Sequence, residues 1–376
     1  MSAGGVSRDG PGVRDPRDLR SARGAGTVDI VRETRDVRDA GGLPDAGSSA
    51  RESGPVLLEV VDLHKHFVLP RSFLARAITR QGSPVLKAVN GVSFTLNEGE
   101  TLGLVGESGS GKSTLGRTIL RLYEPTRGQV RFAGQDVFQL DAAGLRRFRQ
   151  QAQIVFQNPY ASLNPRKTVR QILYVPLALR GVPRRERQAE AAALMERVGL
   201  SARHLDRYPH QFSGGQRQRI GIARALAMHP RLVVADEPVS ALDVSVQAQI
   251  INLMEDLQQE LRLTYLFISH DLSVVRHLST RVAVMYLGQI VEIGPTEPLF
   301  REPLHPYTRA LLSAAPGQGQ RERIILQGAP PSPLDPPPGC PFHPRCPAVV
   351  GEVCRTVRPV LEERASGRWV ACHLIT

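Results

Sequence analysis

The run Gly106-Glu107-Ser108-Gly109-Ser110-Gly111-Lys112-Ser113 fits the spacing GxxxxGK[ST]. Each residue type in it suits a polyphosphate. Glycines let successive backbone N–H groups curl around phosphate oxygens, and a helix opening at the loop adds its positive end. The Lys112 ammonium is a cation for the β- and γ-phosphates. The Ser113 hydroxyl, just before Thr114, can ligate Mg²⁺. Further along, Leu232-Val233-Val234-Ala235 delivers Asp236 and Glu237 to the C-terminal edge of a strand, where α/β sheets hold their ligands. Asp236 suits a water-mediated hold on Mg²⁺, and Glu237 suits polarising an attacking water. Taken alone, two acids before Pro238 fit the start of a helix equally well. The phosphate loop in the same chain favours the chemical reading.

A second device of the same kind follows the first. Phe212-Ser213-Gly214-Gly215-Gln216 leads into a helical run from Arg217 to Met228. Alone, it also reads as a capped helix after a glycine turn. One nucleotide does not easily need both devices in one subunit. The second makes sense if it closes over the γ-phosphate of ATP held by another subunit. Three more polar residues sit around the acids: Gln157 after Ile154-Val155-Phe156, His270 after Phe267-Ile268-Ser269, and Asp243 closing Ser240-Ala241-Leu242-Asp243.

These residues need an α/β frame. A strand at Thr101–Val105 enters the loop and a helix over Thr114–Leu122 leaves it. Leu232–Ala235 and Tyr265–Ile268 are short, continuously apolar runs, as strands covered on both faces require. Val56–Val60 and Val92–Leu96 read as strands, with a polar loop around Pro70–Pro84 between them. Val169–Leu200 is helical. The expected fold is α/β: a P-loop core sheet with an antiparallel β subdomain, a helical subdomain and a small cysteine-containing extension. The expected organisation is a disordered leader over 1–54, an ATPase domain over 55–295 with its helical subdomain at about 158–228, a proline-rich linker over 296–339, and the extension over 340–376. The leader carries nine Arg against nine Asp plus Glu without apolar periodicity.

Composition narrows the function classes. The 376 residues carry a net charge of +12 with only four lysines, so the positive charge is almost all arginine. That reads either as an arginine-biased composition or as a surface for nucleic acid or anionic membrane, but no Lys/Arg-rich block stands out. Aromatics at 5% argue against a base-stacking platform. No run approaches the ~20 apolar residues of a membrane span, and no apolar signal-peptide core opens the chain. The expectation is a soluble, cytosolic chain.

The motifs together resemble the ATPase subunits of ABC transporters over about residues 56–300, with every family motif in order. By that resemblance Gly106–Ser113 is the Walker A loop, Gln157 the Q-loop, and Ser213-Gly214-Gly215-Gln216 the signature. Walker B ends at Asp236, Glu237 is the catalytic glutamate, Ser240–Asp243 the D-loop, and His270 the switch histidine. Phe212 stands where the family usually has leucine. The resemblance implies a head-to-tail dimer with ATP between one Walker A and the other signature. Gln157 would touch Mg²⁺ and sense the γ-phosphate, and His270 would contact that phosphate. Adenine would stack on an aromatic near the first strand; Phe67 fills that place or is simply core.

Within the family, Leu86–Phe94, Phe156–Pro159, Ser162–Arg166 and His305–Leu312 resemble the oligopeptide/dipeptide importer ATPases. Lys112–Leu120 resembles the second ATPase of the usual pair. Nickel importers share these phrases. The resemblance implies a partner ABC ATPase, two transmembrane permease subunits, an extracytoplasmic solute-binding protein and no nucleic acid, with the chain peripheral at the cytoplasmic face of the plasma membrane. A rival, a non-transport ABC ATPase of DNA repair or translation, would need a long coiled-coil insert or a second cassette, and the sequence has neither.

All four cysteines, Cys340, Cys346, Cys354 and Cys372, fall at the end of the chain. Four clustered thiols suggest a Cys₄ metal centre, though the spacing fits neither zinc-ribbon CxxC pairs nor a ferredoxin run. Some peptide-importer relatives carry a similar extension resembling an iron–sulfur site. The readings are [4Fe–4S], structural Zn²⁺ with His343 and His373 as alternative ligands, or incidental thiols.

Overall fold

The structure is a computed structural model that describes residues 54–69, 83–314 and 322–375. The expected leader, save Gly54, and most of the Pro70–Pro84 loop lie outside the described residues.

Three strands, β3 (Thr101–Val105), β7 (Leu232–Asp236) and β8 (Thr264–Ile268), are buried at every position. Such runs can only sit inside a sheet covered on both faces, and they form its centre. With β6 (Ala152–Val155) and β9 (Arg281–Tyr286) they make five parallel strands in the order β9-β3-β8-β7-β6. The sheet continues antiparallel through β10 (Gln289–Pro295) to β12 (Arg368–Val370) and β11 (Glu362–Ala365), giving eight strands. A second, antiparallel sheet has the order β2-β1-β4-β5, from β1 (Val56–Val68), β2 (Val85–Asn97), β4 (Arg127–Phe132) and β5 (Gln135–Asp136). The expected α/β frame with its antiparallel piece is therefore present.

Strands β1 and β2 run 13 residues each, well beyond the five-residue segments the sequence suggested. Their pairing shifts register between Val60 and Leu63 and again at His64, and Asp62 has φ +43°. Bulges of this kind break the period-two pattern by which a strand is recognised.

Helix α1 (Lys112–Ile119) follows the glycine loop, and α2 (Ala142–Gln151) leads into β6. Between β6 and β7 lie α3 (Pro159–Ser162), α4 (Val169–Arg180), α5 (Arg187–Arg197) and α6 (Gly214–Leu226). Helices α7 (Val244–Leu261) and α8 (Leu272–Leu278) separate the next strands.

The stretch expected as a linker from residue 296 instead opens with two helices, α9 (Thr296–Arg301) and α10 (Pro306–Ser313). Pro306 is the first residue of α10, where its missing N–H costs nothing, and His305 caps the helix by accepting from the Tyr307 N–H at 3.0 Å. Phe300 and Tyr307 are fully buried. The prolines of residues 296–313 lie in or beside helices, whereas residues 322–339, which include Pro330–Pro338, form neither helix nor strand. A four-residue helix, α11 (Val353–Thr356), lies in the cysteine-bearing tail, and β12 of that tail pairs directly with β10 of the main sheet.

Candidate nucleotide site

The glycine loop sits between the end of β3 and the start of α1. Two of its glycines are forced by close backbone approach. A Cβ on Gly106 (φ +151°) would lie 2.1 Å from the Met285 carbonyl oxygen, and one on Gly111 (φ +103°) 2.0 Å from that of Ala88. Gly109, by contrast, faces open space. The loop borders a cleft of about 570 Å³, lined by Ser108, Gly109, Gly111, Lys112, Ser113 and Thr114 on one side and by Gln157, Glu237 and His270 on another. Leu86, Ala88 and Pro333 complete the wall.

Within the cleft the polar groups already engage one another. The Lys112 ammonium donates to the carbonyls of Gly106 (2.8 Å) and Glu107 (3.1 Å). Burial lowers its pKa, against the carboxylates of Glu237, Asp236 and Glu107, which hold the proton on. The Ser113 hydroxyl donates to Asp236 Oδ1 at 2.6 Å, and Arg117 pairs with Asp236 Oδ2 at 3.2 Å. Ser113 and Arg117 are four residues apart on α1 and so share one face, both aimed at the buried Asp236. Glu237 Oε2 accepts from Gln157 Nε2 at 2.7 Å and lies 3.3 Å from His270 Nδ1. Glu237 is held at φ +48°, the left-handed region, with its N–H bonded to the Ile268 carbonyl. A non-glycine residue there costs of order 1–3 kcal/mol and persists only where the surrounding structure over-determines it.

A hydroxyl beside a buried carboxylate is the donor set of a hard dication. Ser113 and Asp236 therefore fit Mg²⁺, and Lys112 fits polyphosphate. Of the residues expected from sequence, Ser108, Gly109, residues 111–114, Gln157, Glu237 and His270 line one cleft, while Asp236 is buried against the Ser113 hydroxyl. Sequence reading missed Arg117, Arg345 and Tyr307. The i,i+4 spacing from Ser113 could have pointed to Arg117. A carboxylate at Glu107, inside an anion-binding loop, implied some cation beside it, and that cation is Arg345.

Other expected site residues lie elsewhere. Ser213 caps α6, its hydroxyl accepting from the Gln216 N–H at 3.3 Å while Gln216 returns a bond to the Ser213 N–H. Gly215 packs on α7, where a Cβ would come within 2.3 Å of Val246, and Gly214 faces Leu242. Asp243 is exposed at the α7 N-cap position and makes no side-chain cap. None of these lines the cleft around Lys112. Phe67 meets the edge of Tyr123 with ring centroids 5.5 Å apart, and Lys65 Nζ lies 4.8 Å above its ring.

The cysteine centre gains no support. Among the described residues no group of three or more His, Cys, Asp or Glu is placed to hold a metal ion. All four thiols are free. Burial pushes the Cys340 thiol up to about 11 and raises Cys346 and Cys372, and the neighbouring cysteines add to each shift. The Cys346 and Cys354 sulfurs accept instead from the N–H groups of Ala348 and Val350.

Comparison with known proteins agrees with the cleft. Residues 89–240 match the family described as ABC transporter, and residues 291–354 match the oligopeptide/dipeptide transporter C-terminal region. The chain is 55% identical over 325 residues to the oligopeptide transport ATP-binding protein AppF of Bacillus subtilis, covering 85% of this chain and 97% of that one. It is 52% identical to the dipeptide transport ATP-binding protein DppF of Escherichia coli, over 85% and 94% respectively. Among solved structures, cbiO1 of Clostridium perfringens, part of the ABC transporter complex cbiONQ, superposes with a TM-score of 0.55 at 26% identity, over 66% of this chain and 91% of that one. A dimeric post-hydrolysis ATP-binding cassette with ADP and Pi gives 0.56 at 28%, over 64% and 99%. The fold and cleft define an ABC ATPase, an enzyme that hydrolyses ATP with Mg²⁺. The chain belongs to the oligopeptide/dipeptide transporter branch of the ABC transporter ATP-binding proteins.

Proposed function

We propose that this chain is the subunit whose ATP hydrolysis powers uptake of oligopeptides or dipeptides through a membrane ABC transporter. The observation that carries the reading is the convergence of Lys112, Ser113, Gln157, Glu237 and His270 on one cleft, with Asp236 buried against Ser113. Its similarity to AppF and DppF supplies the solute class. Residues 55–295 act as the ATPase unit, with 158–228 as its helical subdomain.

In this reading Lys112 leaves the loop carbonyls for the β- and γ-phosphates, while the N–H groups of the glycine loop and of Ser113 and Thr114 cradle their oxygens. Ser113, Asp236 and Gln157 would hold Mg²⁺, which neutralises developing phosphate charge. Glu237 polarises the attacking water, and His270 steadies the γ-phosphate. Catalysis is then positioning and charge stabilisation. Ser213–Gln216 and Asp243, turned away from the chain's own cleft, serve the ATP of a partner ATPase in a head-to-tail pair. Phe67 supplies the adenine platform once its ring leaves the Tyr123 edge.

No described helix is long and apolar enough to cross a membrane. Translocation in this reading belongs to two permease subunits fed by an extracytoplasmic solute-binding protein, with the chain docked at the cytoplasmic face of the plasma membrane. The exposed Tyr160, Val175 and Leu179 of the helical subdomain suit that docking. The test is uptake of labelled di- and oligopeptides, with nickel in parallel, comparing wild type and Glu237→Gln. Loss of the polarising carboxylate should cut ATP turnover by roughly 10²–10⁴-fold and abolish peptide uptake. Loss of nickel uptake alone would replace the solute class. No loss of either would overturn the transport reading.

A further inference from the structure

An acidic side chain inside a phosphate-binding loop is an electrostatic problem. Glu107 is the second residue of the loop, and its carboxylate is close enough to Lys112 to raise that ammonium's affinity for its proton. Unpaired, it would repel an incoming polyphosphate.

The far end of the chain answers this. Arg345 reaches across 238 residues of sequence to grip Glu107 with one nitrogen, 3.1 and 3.0 Å from its two oxygens. The Arg345 side chain is only 9% exposed and the Glu107 side chain 29%, so solvent screens the pair weakly. From the same side, the Tyr307 hydroxyl accepts the Glu107 N–H at 2.9 Å. Both partners are anchored. Tyr307, Tyr286 and Phe342 form a buried three-ring cluster with centroids 4.6, 5.3 and 5.4 Å apart. Phe342 stands three residues before Arg345, so the cluster fixes the turn that presents the guanidinium.

We propose that the C-terminal tail completes the phosphate-binding loop in cis, with Arg345 as a positioning residue that neutralises Glu107 and holds the loop open to nucleotide. Nucleotide affinity is then set in part from the tail. This rests on the ATP reading of the cleft.

The experiment titrates the full-length protein with the Mg²⁺ complex of a non-hydrolysable ATP analogue, adenylyl imidodiphosphate, and measures ATP turnover in parallel. Arg345→Ala should weaken analogue binding and raise KM about tenfold, while kcat at saturating ATP stays within about threefold. Adding Glu107→Gln to Arg345→Ala removes the stranded charge and should restore affinity to within about threefold of wild type. A merely structural pair gives no such rescue, because the double variant lacks the bridge too. Unchanged affinity in Arg345→Ala, or a loss that Glu107→Gln fails to rescue, overturns the proposal. Should Arg345→Ala not fold, Arg345→Gln, which keeps the stem's packing, is measured against the same outcomes. Wild-type protein that binds no analogue would sink the ATP reading itself, a result distinct from either of these.

Discussion

Single residues in this chain are tuned by what surrounds them, and His305 is the clearest case. It is fully buried, its Nδ1 must stay unprotonated to accept the Tyr307 N–H, and desolvation drives its pKa down to about 3. In the unfolded chain the same imidazole takes a proton near pH 6.5. The unfolded state therefore binds more protons below that pH, so the stabilisation is full above about 6.5 and is lost as pH falls toward 3. The slope approaches ~1.4 kcal/mol per pH unit for this one group. Urea denaturation at pH 7 and pH 5 should show the loss, and His305→Asn, which can still cap the helix, should show less of it. An equal loss in the variant would mean the titration lies elsewhere. Little of this was legible beforehand, because a histidine in a proline-rich stretch looks like surface. Glu237 was legible as an acid after an apolar strand; its left-handed backbone was not, since no residue type announces it.

At the scale of elements, the helix that follows Ser213 was recognised by its Ser-Gly-Gly start, and the structure adds the reciprocal bonds with Gln216. Capping and nucleotide contact can be separated by substitution. Ser213→Ala should cost about 1 kcal/mol of stability through the lost cap. Ser213→Asn should regain that stability in a thermal melt. If the hydroxyl also serves a partner's ATP, both variants lose transport-coupled ATP turnover. Retained turnover in both would confine Ser213 to the cap. The central strands were legible because burial on both faces leaves continuous apolar runs. Strands β1 and β2 were half legible, since bulges at Asp62 and His64 put polar residues out of step. The helices after residue 295 were hidden by the prolines that start them.

Across the whole molecule, the tail is built into the ATPase domain, its strands extending one edge of the main sheet. Tail strand β12 extends the ATPase sheet, Phe342 is fully buried, and the Cys340 N–H bonds the Cys354 carbonyl beside them. Composition could not reveal this, because the cysteines drew attention to themselves and away from Phe342 and Arg345. Phe342→Ala should therefore behave as a core substitution, costing about 3–5 kcal/mol. Urea denaturation of the full chain reads it; a cost below about 1 kcal/mol would make the tail an appendage after all.

The pairing of Arg345 with Glu107 also sets an order in time. The loop is synthesised 238 residues before the arginine that steadies it. Domains begin to fold while still being made, N-terminal parts first. A nascent chain thus forms β3 and α1 early, yet carries an unneutralised acid in its phosphate cradle until Arg345 has been made. Competence for nucleotide in this proposal arrives only once Arg345 has emerged and folded back onto the loop, so a nascent chain that stops short of it is a poor consumer of ATP.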